Sequence, residues 1–145
     1  MQELRDRIMA DGEVIGRDVL KVDSFLNHQI DPAFIQRMGK EIAGRFAGEG
    51  VTKVLTVEAS GIAVATAAAL YLGVPVLFAK KKQAVTQQGD MYTAEVFSFT
   101  RREPVFIAVT PKFLGPADVV LIVDDFLAHG EALKGLASIV RQAGA

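Results

Sequence analysis

The chain has 145 residues, half of them hydrophobic, and a formal net charge of −1 at pH 7. This length is sufficient for one full hydrophobic core, so we expect a single domain over residues 1–145. Because acidic and basic residues are nearly equal in number, the sequence predicts no extended region of positive electrostatic potential. This argues against general binding to nucleic acid or to a membrane surface. Cysteine is absent, which excludes disulfides, zinc fingers and thiol catalysis and fits a reducing compartment.

The pattern of apolar residues predicts neither a secretory signal peptide nor a membrane-spanning segment. The first six residues, MQELRD, are charged rather than apolar, unlike a secretory signal peptide. The longest apolar run, residues 62–72, is rich in alanine and too short to span a bilayer. We therefore expect a cytoplasmic protein.

The N-terminal part predicts a short helix followed by irregular chain. Leu4 and Ile8 are four positions apart and form one apolar side of a helix. Residues 14–22 contain two brief extended pieces around a turn. Residues 23–29 show no regular period, so from the residues alone they form either a lid or a packed connection.

A clear helix start follows at Asp31-Pro32, because Asp can cap free N–H groups and Pro needs no donor at the first helical position. The apolar spacing of four predicts a helix that stops near Gly48 or Gly50. Its expected buried stripe is Phe34, Met38, Ile42 and Phe46.

Residues 54–57 are the next predicted strand, and they lead through a turn into an alanine-rich helix that ends at Gly73. The turn contains Ser60 and Gly61, and small residues let a backbone approach a sheet or an anion closely. A Ser-Gly helix start is by itself usually a cap, so the residues alone give only a weak phosphate signal.

The following stretch predicts a third strand and a hairpin. Residues 75–79 are apolar and end in the lysine run 80–82, which in most proteins is a solvated edge. Residues 83–90 are polar and rich in turn formers. Residues 91–100 and 104–109 then predict two strands of a hairpin off the main sheet.

Residues 119–123 are five consecutive apolar residues, typical of a parallel strand buried on both faces. Asp124 and Asp125 follow directly, then a short loop, and then a helix over residues 130–143. The expected buried residues of that helix are Leu133, Leu136, Ala137 and Val140. The alternation of strands and helices predicts an α/β fold with a central parallel sheet flanked by helices.

The acidic pair lies where open α/β sheets bind ligands, at the carboxyl end of a strand. Buried carboxylates need hydroxyl or metal partners. The loop behind Asp124 and Asp125 presents backbone N–H groups at a helix N-terminus, which suits a phosphate. Hydroxyls beside a phosphate suggest a ribose 5-phosphate.

At these residues the chain resembles a known family. The stretch VLIVDDFLAHGEA is similar to the 5-phosphoribosyl 1-diphosphate (PRPP) binding motif of type I phosphoribosyltransferases, in the form found in their xanthine-specific members. The resemblance implies that Asp124 and Asp125 are catalytic and hold the ribose hydroxyls. It also implies a 5-phosphate site in the loop formed by Ala128, His129, Gly130, Glu131 and Ala132.

Three other stretches resemble the same family. EASGI is similar to its diphosphate-binding loop, which implies that Ser60 and Gly61 contact the leaving group. FAKK is similar to a motif whose lysine, here Lys81, lies near the diphosphate of its own or a neighbouring subunit. LKVDSFLNHQID is similar to the N-terminal signature in which the residues matching Leu20 and Asn27 line the purine site.

The resemblance implies an enzyme of purine salvage that transfers the phosphoribosyl group of PRPP to xanthine, giving xanthosine 5′-monophosphate and diphosphate. It further implies magnesium with PRPP, a homodimer, and a hairpin lid that excludes water during the reaction. Protein ligands for the metal are left open by the sequence.

Two departures from the family pattern stand out. Ala128 and Ala132 occupy positions where the usual motif has threonines, so backbone donors must hold more of the phosphate. Family members also continue with a further strand and a base-contacting lysine, so we expect residues 1–145 to bind PRPP but to turn over xanthine poorly.

Three alternatives remain open from the sequence. One is a regulatory domain that binds PRPP without chemistry, another is an inactive phosphoribosyltransferase-like domain, and the third is an adenine- or guanine-specific enzyme.

Overall fold

The computed structural model describes residues 1–16, 19–82, 91–98 and 103–145. Its α-helices are Gln2–Asp11 (α1), Pro32–Arg45 (α2), Gly61–Leu72 (α3) and Glu131–Ala143 (α4). Its strands are Glu13–Ile15 (β1), Val19–Lys21 (β2), Lys53–Val57 (β3), Val76–Lys82 (β4), Tyr92–Ser98 (β5), Glu103–Val109 (β6) and Val120–Ile122 (β7). None of these helices is long and apolar enough to cross a membrane.

The main sheet has five strands in the order β5-β6-β4-β3-β7. Strands β4, β3 and β7 are parallel, with Leu55 of β3 level with Leu77 on one side and Ile122 on the other. Helices cover both faces, so the predicted α/β fold is confirmed. The hairpin β5–β6, however, is part of the main sheet rather than separate from it, because β6 pairs antiparallel with β4.

That pairing also lengthens β4. The sequence predicted that the lysine run follows the strand, whereas Lys80–Lys82 belong to it and pair with residues 106–108 of β6. The polar loop expected at residues 83–90 and the hairpin tip at residues 99–102 lie outside the described residues.

Strand β7 lies at the edge of the sheet in the part of the chain that the structure describes, since it pairs with β3 alone. The expectation that residues 119–123 are buried on both faces is therefore only partly correct. Leu121 and Val123 are buried, but Val119 is 47% exposed. The central strand is β3, where Val54 and Leu55 are completely buried.

Helices α2 and α3 pack together on one face of the sheet, and α4 packs on the other. Gly39 allows the close contact of α2 with α3, because a Cβ there would overlap Ala67. As predicted, the Asp31 carboxylate caps α2 by accepting a hydrogen bond from the Phe34 N–H at 3.1 Å.

The predicted buried stripes of α2 and α4 are partly wrong. Phe46 and Leu133 are 40% and 43% exposed, whereas Ile35 and Ile139 are buried. Both errors arise because each helix has apolar residues on a face wider than the surface it packs against, which is α3 for α2 and the sheet for α4. Only the docking angle decides which of these residues are covered.

The N-terminal segment has more order than its sequence indicates. Strands β1 and β2 form an antiparallel ribbon. Residues Asp23–Asn27, predicted to be irregular, form one turn of π-helix in which the Asn27 N–H donates to the carbonyl of Val22 at 3.4 Å. Phe25 and Leu26 are buried there, and this fixes the turn against α2.

Candidate active site

A cavity of about 640 Å³ opens at the carboxyl ends of β3, β4 and β7. The chain turns from strand to helix after β3 and after β7, and both turns reach this edge of the sheet. The predicted site residues that line the cavity are Leu20, Asn27, Ser60, Lys81, Asp124, Asp125, Ala128 and Ala132. These residues come from four separate stretches of the sequence, so the fold brings together what the motifs only suggested.

The other predicted residues lie beside the cavity wall. Gly130 precedes the first residue of α4 with φ of 74°. Glu131 is the first residue of α4, and its carboxylate pairs with Lys134 at 2.7 Å. His129 is exposed in the loop before them. Gly61 begins α3 and lies against Asp124.

The two acids are half-buried directly after β7. The Asp125 N–H donates to Asp124 Oδ1 at 3.0 Å. The pKa of Asp124 is raised from 3.8 to about 7, first by burial and then by a hydrogen bond and the charge of the Asp125 side chain. The hydrogen bond from the Asp125 N–H and the charge of Lys81 oppose this shift. Shifts of this size are typical of functional sites.

The turn after β3 is attached to β4 through Glu58. Its Oε1 accepts a hydrogen bond from the Lys81 N–H at 2.6 Å, and its peptide bond to Ala59 is cis. Ser60 follows as the residue before α3, with no hydrogen bond from its side chain to the helix. The Ser60 hydroxyl is thus not used as a helix cap, although the sequence alone favoured a cap.

Gly61 is required at the next position. A Cβ there would lie 2.8 Å from Asp124 Oδ1 and closer still to the hydroxyl oxygen of Thr56. Only glycine therefore lets α3 begin this close to the acid pair.

The loop that leads into α4 has two residues with left-handed backbone. Ala128 has φ of 42° and Gly130 has φ of 74°. The left-handed region costs a non-glycine residue about 1–2 kcal/mol, so the conformation of Ala128 is held by the surrounding loop. The N–H of Gly130 donates back to the carbonyl of Leu127 at 2.6 Å, which closes the turn.

The side of the cavity lined by Leu20 and Asn27 is supported by Arg7 of α1. Its guanidinium lies 5.4 Å from the ring centre of Phe25 and 5.8 Å from that of Phe34, and the two rings contact edge to face. Arg7 also pairs with Asp31 at 3.6 Å. These contacts hold the π-helical turn that carries Asn27.

Sequence reasoning missed two residues of this region. Glu58 lines the cavity and stands in the same EASGI stretch as Ser60, at the carboxyl end of a predicted strand, so its position could have identified it. Thr56 is a single polar residue within an apolar strand, which was a weaker signal. Within the described ranges, no group of three or more His, Asp or Glu side chains could hold a metal ion.

Solved structures share this fold. The adenine phosphoribosyltransferase of Giardia lamblia in complex with 9-deazaadenine has a TM-score of 0.76 and 27% identity, covering 98% of this chain and 78% of that one. The Saccharomyces cerevisiae adenine phosphoribosyltransferase has a TM-score of 0.74 at 17% identity, covering 100% of this chain and 84% of that one. The second likeness, at this low identity, shows the fold alone.

Curated relatives are more similar in sequence, although no protein-family model matches the chain. The xanthine phosphoribosyltransferase of Heliobacterium modesticaldum is 74% identical over 145 residues, which are 100% of this chain and 77% of that protein. The xanthine phosphoribosyltransferase of Moorella thermoacetica is 59% identical over 98% of this chain and 72% of its own length. The chain therefore belongs to the xanthine phosphoribosyltransferase family.

Proposed function

We propose that this protein transfers the 5-phosphoribosyl group of PRPP to xanthine, giving xanthosine 5′-monophosphate and diphosphate. The observation that carries the proposal is that the acid pair, Ser60, Lys81 and Asn27 all line one cavity of about 640 Å³. Membership of the xanthine phosphoribosyltransferase family supports the choice of base and reaction.

The acid pair holds the ribose in this proposal. Ionised Asp124 and Asp125 accept hydrogen bonds from its hydroxyl groups, and such bonds to charged acceptors are strong. During the reaction a ring nitrogen of xanthine forms the new bond to the anomeric carbon while the bond from that carbon to the diphosphate oxygen breaks. The diphosphate leaves with the bonding electron pair, and the proton that the imidazole ring of xanthine loses passes to solvent. Positive charge develops on the ribose in between, and the two carboxylates stabilise it.

The 5-phosphate is assigned to the loop at the start of α4. Ala128 and Ala132 line the cavity on this side, and a helix N-terminus attracts anions through its free N–H groups and its dipole. Because alanines replace the usual hydroxyl side chains, the backbone of residues 128–132 supplies the donors.

The diphosphate is assigned to the space between the start of α3 and the end of β4. Ser60 and Lys81 line the cavity there, and the lysine charge also lies close enough to influence Asp124. Magnesium enters as part of the substrate, bound to PRPP, since this ion prefers phosphate oxygens and water. Lys81 and the N-terminus of α3 then stabilise the leaving diphosphate as its charge increases.

Xanthine is assigned to the wall formed by Leu20 and Asn27. An apolar side chain can cover one face of the flat base, and the Asn27 amide can both donate to a carbonyl and accept from a ring N–H.

The single domain over residues 1–145, the homodimer and the cytoplasmic location are part of the same proposal. The fold supports a single domain, the exposed apolar groove beside Phe78 supports a homodimer, and the cysteine-free composition supports a cytoplasmic location.

Product formation from PRPP and magnesium with xanthine, hypoxanthine, guanine or adenine tests this function directly. We expect xanthine to be the preferred base and diphosphate to be released in equal amount. Asp124→Asn and Asp125→Asn should each lose most of the turnover, whereas Glu49→Gln, an equivalent change in an exposed loop, should not. Preference for adenine or guanine over xanthine would instead favour the adenine- or guanine-specific alternative.

A further inference from the structure

Thr56 is the one buried polar side chain among the described residues, and no role has been assigned to it. It lies in the central strand β3 with none of its surface exposed. Its hydroxyl has no hydrogen-bond partner in the described part of the chain. A buried hydroxyl without a partner is costly, so its presence among the apolar residues 54–57 calls for a use in some other state of the protein.

The Thr56 hydroxyl lies close to the Asp124 carboxylate. The position that a Cβ on Gly61 would take is 2.8 Å from Asp124 Oδ1 and even closer to Thr56 Oγ1. The hydroxyl and the carboxylate oxygen therefore face each other across a glycine, with no side chain between them. Because both oxygens lie within 2.8 Å of one point, a side-chain rotation can bring them into hydrogen-bond contact.

The other groups around Asp124 approach it from different sides. The Asp125 N–H donates to Oδ1 along the chain, and the charges of Asp125 and Lys81 act from the cavity. Thr56 is completely buried, so it approaches Asp124 from the interior of the protein, at Gly61. A carboxylate whose one oxygen is held from the core side presents its other oxygen to the cavity in a fixed direction.

We propose that Thr56 is a positioning residue for Asp124: when PRPP with magnesium engages Asp124 from the cavity, the Thr56 hydroxyl donates a hydrogen bond to Oδ1 across Gly61. The bond orients the carboxylate so that its other oxygen accepts from a ribose hydroxyl. This inference rests on the proposed function, because it takes Asp124 as the residue that holds the ribose.

The test measures affinity for PRPP with magnesium by calorimetry and stability by thermal unfolding. In Thr56→Val the unpartnered hydroxyl is removed at nearly constant shape, so the protein without ligand should be at least as stable as the wild type. Its affinity should nevertheless fall by about tenfold to a hundredfold, the effect of one hydrogen bond to a charged group. Thr56→Ser keeps the hydroxyl and should recover most of that affinity.

A double-mutant cycle identifies the partner. If Thr56 acts through Asp124, Thr56→Val should change affinity by less than about twofold when Asp124→Asn is already present. Val54→Ala on the same strand and face is the control, since it should lower stability and leave affinity unchanged.

Each result decides the matter. Unchanged affinity in Thr56→Val, an equal loss of affinity in the Asp124→Asn background, or failure of Thr56→Val to fold would overturn the role of Thr56 while leaving the proposed function standing. Absence of PRPP binding by the wild type would overturn the proposed function and this inference together.

Discussion

At the scale of single residues, Asp124 links the burial of the site to its chemistry. The sequence predicted the acid pair and its place at the end of a strand, because an apolar run that stops at two carboxylates has few other interpretations. It did not predict the pKa of about 7. That value depends on how far Asp124 is buried beside Gly61 and on the neighbouring charges, which are properties of the folded chain.

The raised pKa of Asp124 predicts a specific pH dependence of stability. Since the folded pKa of about 7 exceeds the ordinary 3.8, the folded protein keeps a proton that the unfolded chain has lost between these values. Stability from this group is complete below pH 4 and declines as pH rises to 7. After allowance for solvent screening we expect a loss of roughly 1–2 kcal/mol.

Urea unfolding at pH 4.5 and pH 8 measures this loss. Asp124→Asn should lose less stability than the wild type over the interval, and Glu49→Gln should behave as the wild type. Parallel pH profiles for the wild type and Asp124→Asn would contradict the shifted pKa.

Replacing Asn27 should weaken the binding of xanthine specifically. If its amide pairs with a carbonyl or ring N–H of xanthine, Asn27→Leu should raise the KM for xanthine and leave the KM for PRPP nearly unchanged. Loss of one hydrogen bond to a base predicts an effect of about fivefold to tenfold. Initial rates with each substrate varied in turn make the comparison, and equal changes in both KM values would argue against a base contact.

At the scale of elements, the sequence predicted where helices and strands occur better than how they are arranged. The period of α4 was clear, yet Ile139 rather than Leu133 is buried, because the helix docks with a different part of its apolar face. The apolar run of β7 suggested a central strand, but burial of alternate residues is sufficient at the edge position it occupies. The π-helical turn had no periodic signal, since it depends on Phe25 and Leu26 finding places in the core.

A change at Arg7 tests whether α1 supports the part of the cavity wall that contains Leu20 and Asn27. Because its guanidinium covers Phe25 and Phe34 and pairs with Asp31, Arg7→Met should loosen the turn that carries Asn27. We expect a loss of about 1–2 kcal/mol of stability and a higher KM for xanthine. Arg5→Met, an equivalent change at an exposed position of the same helix, is the control. A stability loss with an unchanged KM for xanthine would show that α1 only packs.

At the scale of the whole molecule, part of the sheet surface at β4 is not covered by any helix of the described residues. Phe78 and Phe113 are 37% and 53% exposed, and together with Met91 they line a groove of about 420 Å³. Exposed apolar patches of this kind mark protein interfaces. Pairing of this face with its copy about a two-fold axis is the simplest closed arrangement, so we expect a homodimer.

The interface and the active site share strand β4. Phe78 lies on the face with the groove, while Lys81 lies on the cavity wall three residues further along. Contacts that hold Phe78 in a dimer therefore also fix the strand that positions Lys81.

Phe78→Glu should produce a monomer with reduced affinity for PRPP. Phe46→Glu, at an equally exposed phenylalanine at the end of α2, should stay dimeric and active. Light scattering after size exclusion, with turnover measured on the same fractions, makes this test. A fully active monomer would show that β4 needs no partner to hold Lys81 in place.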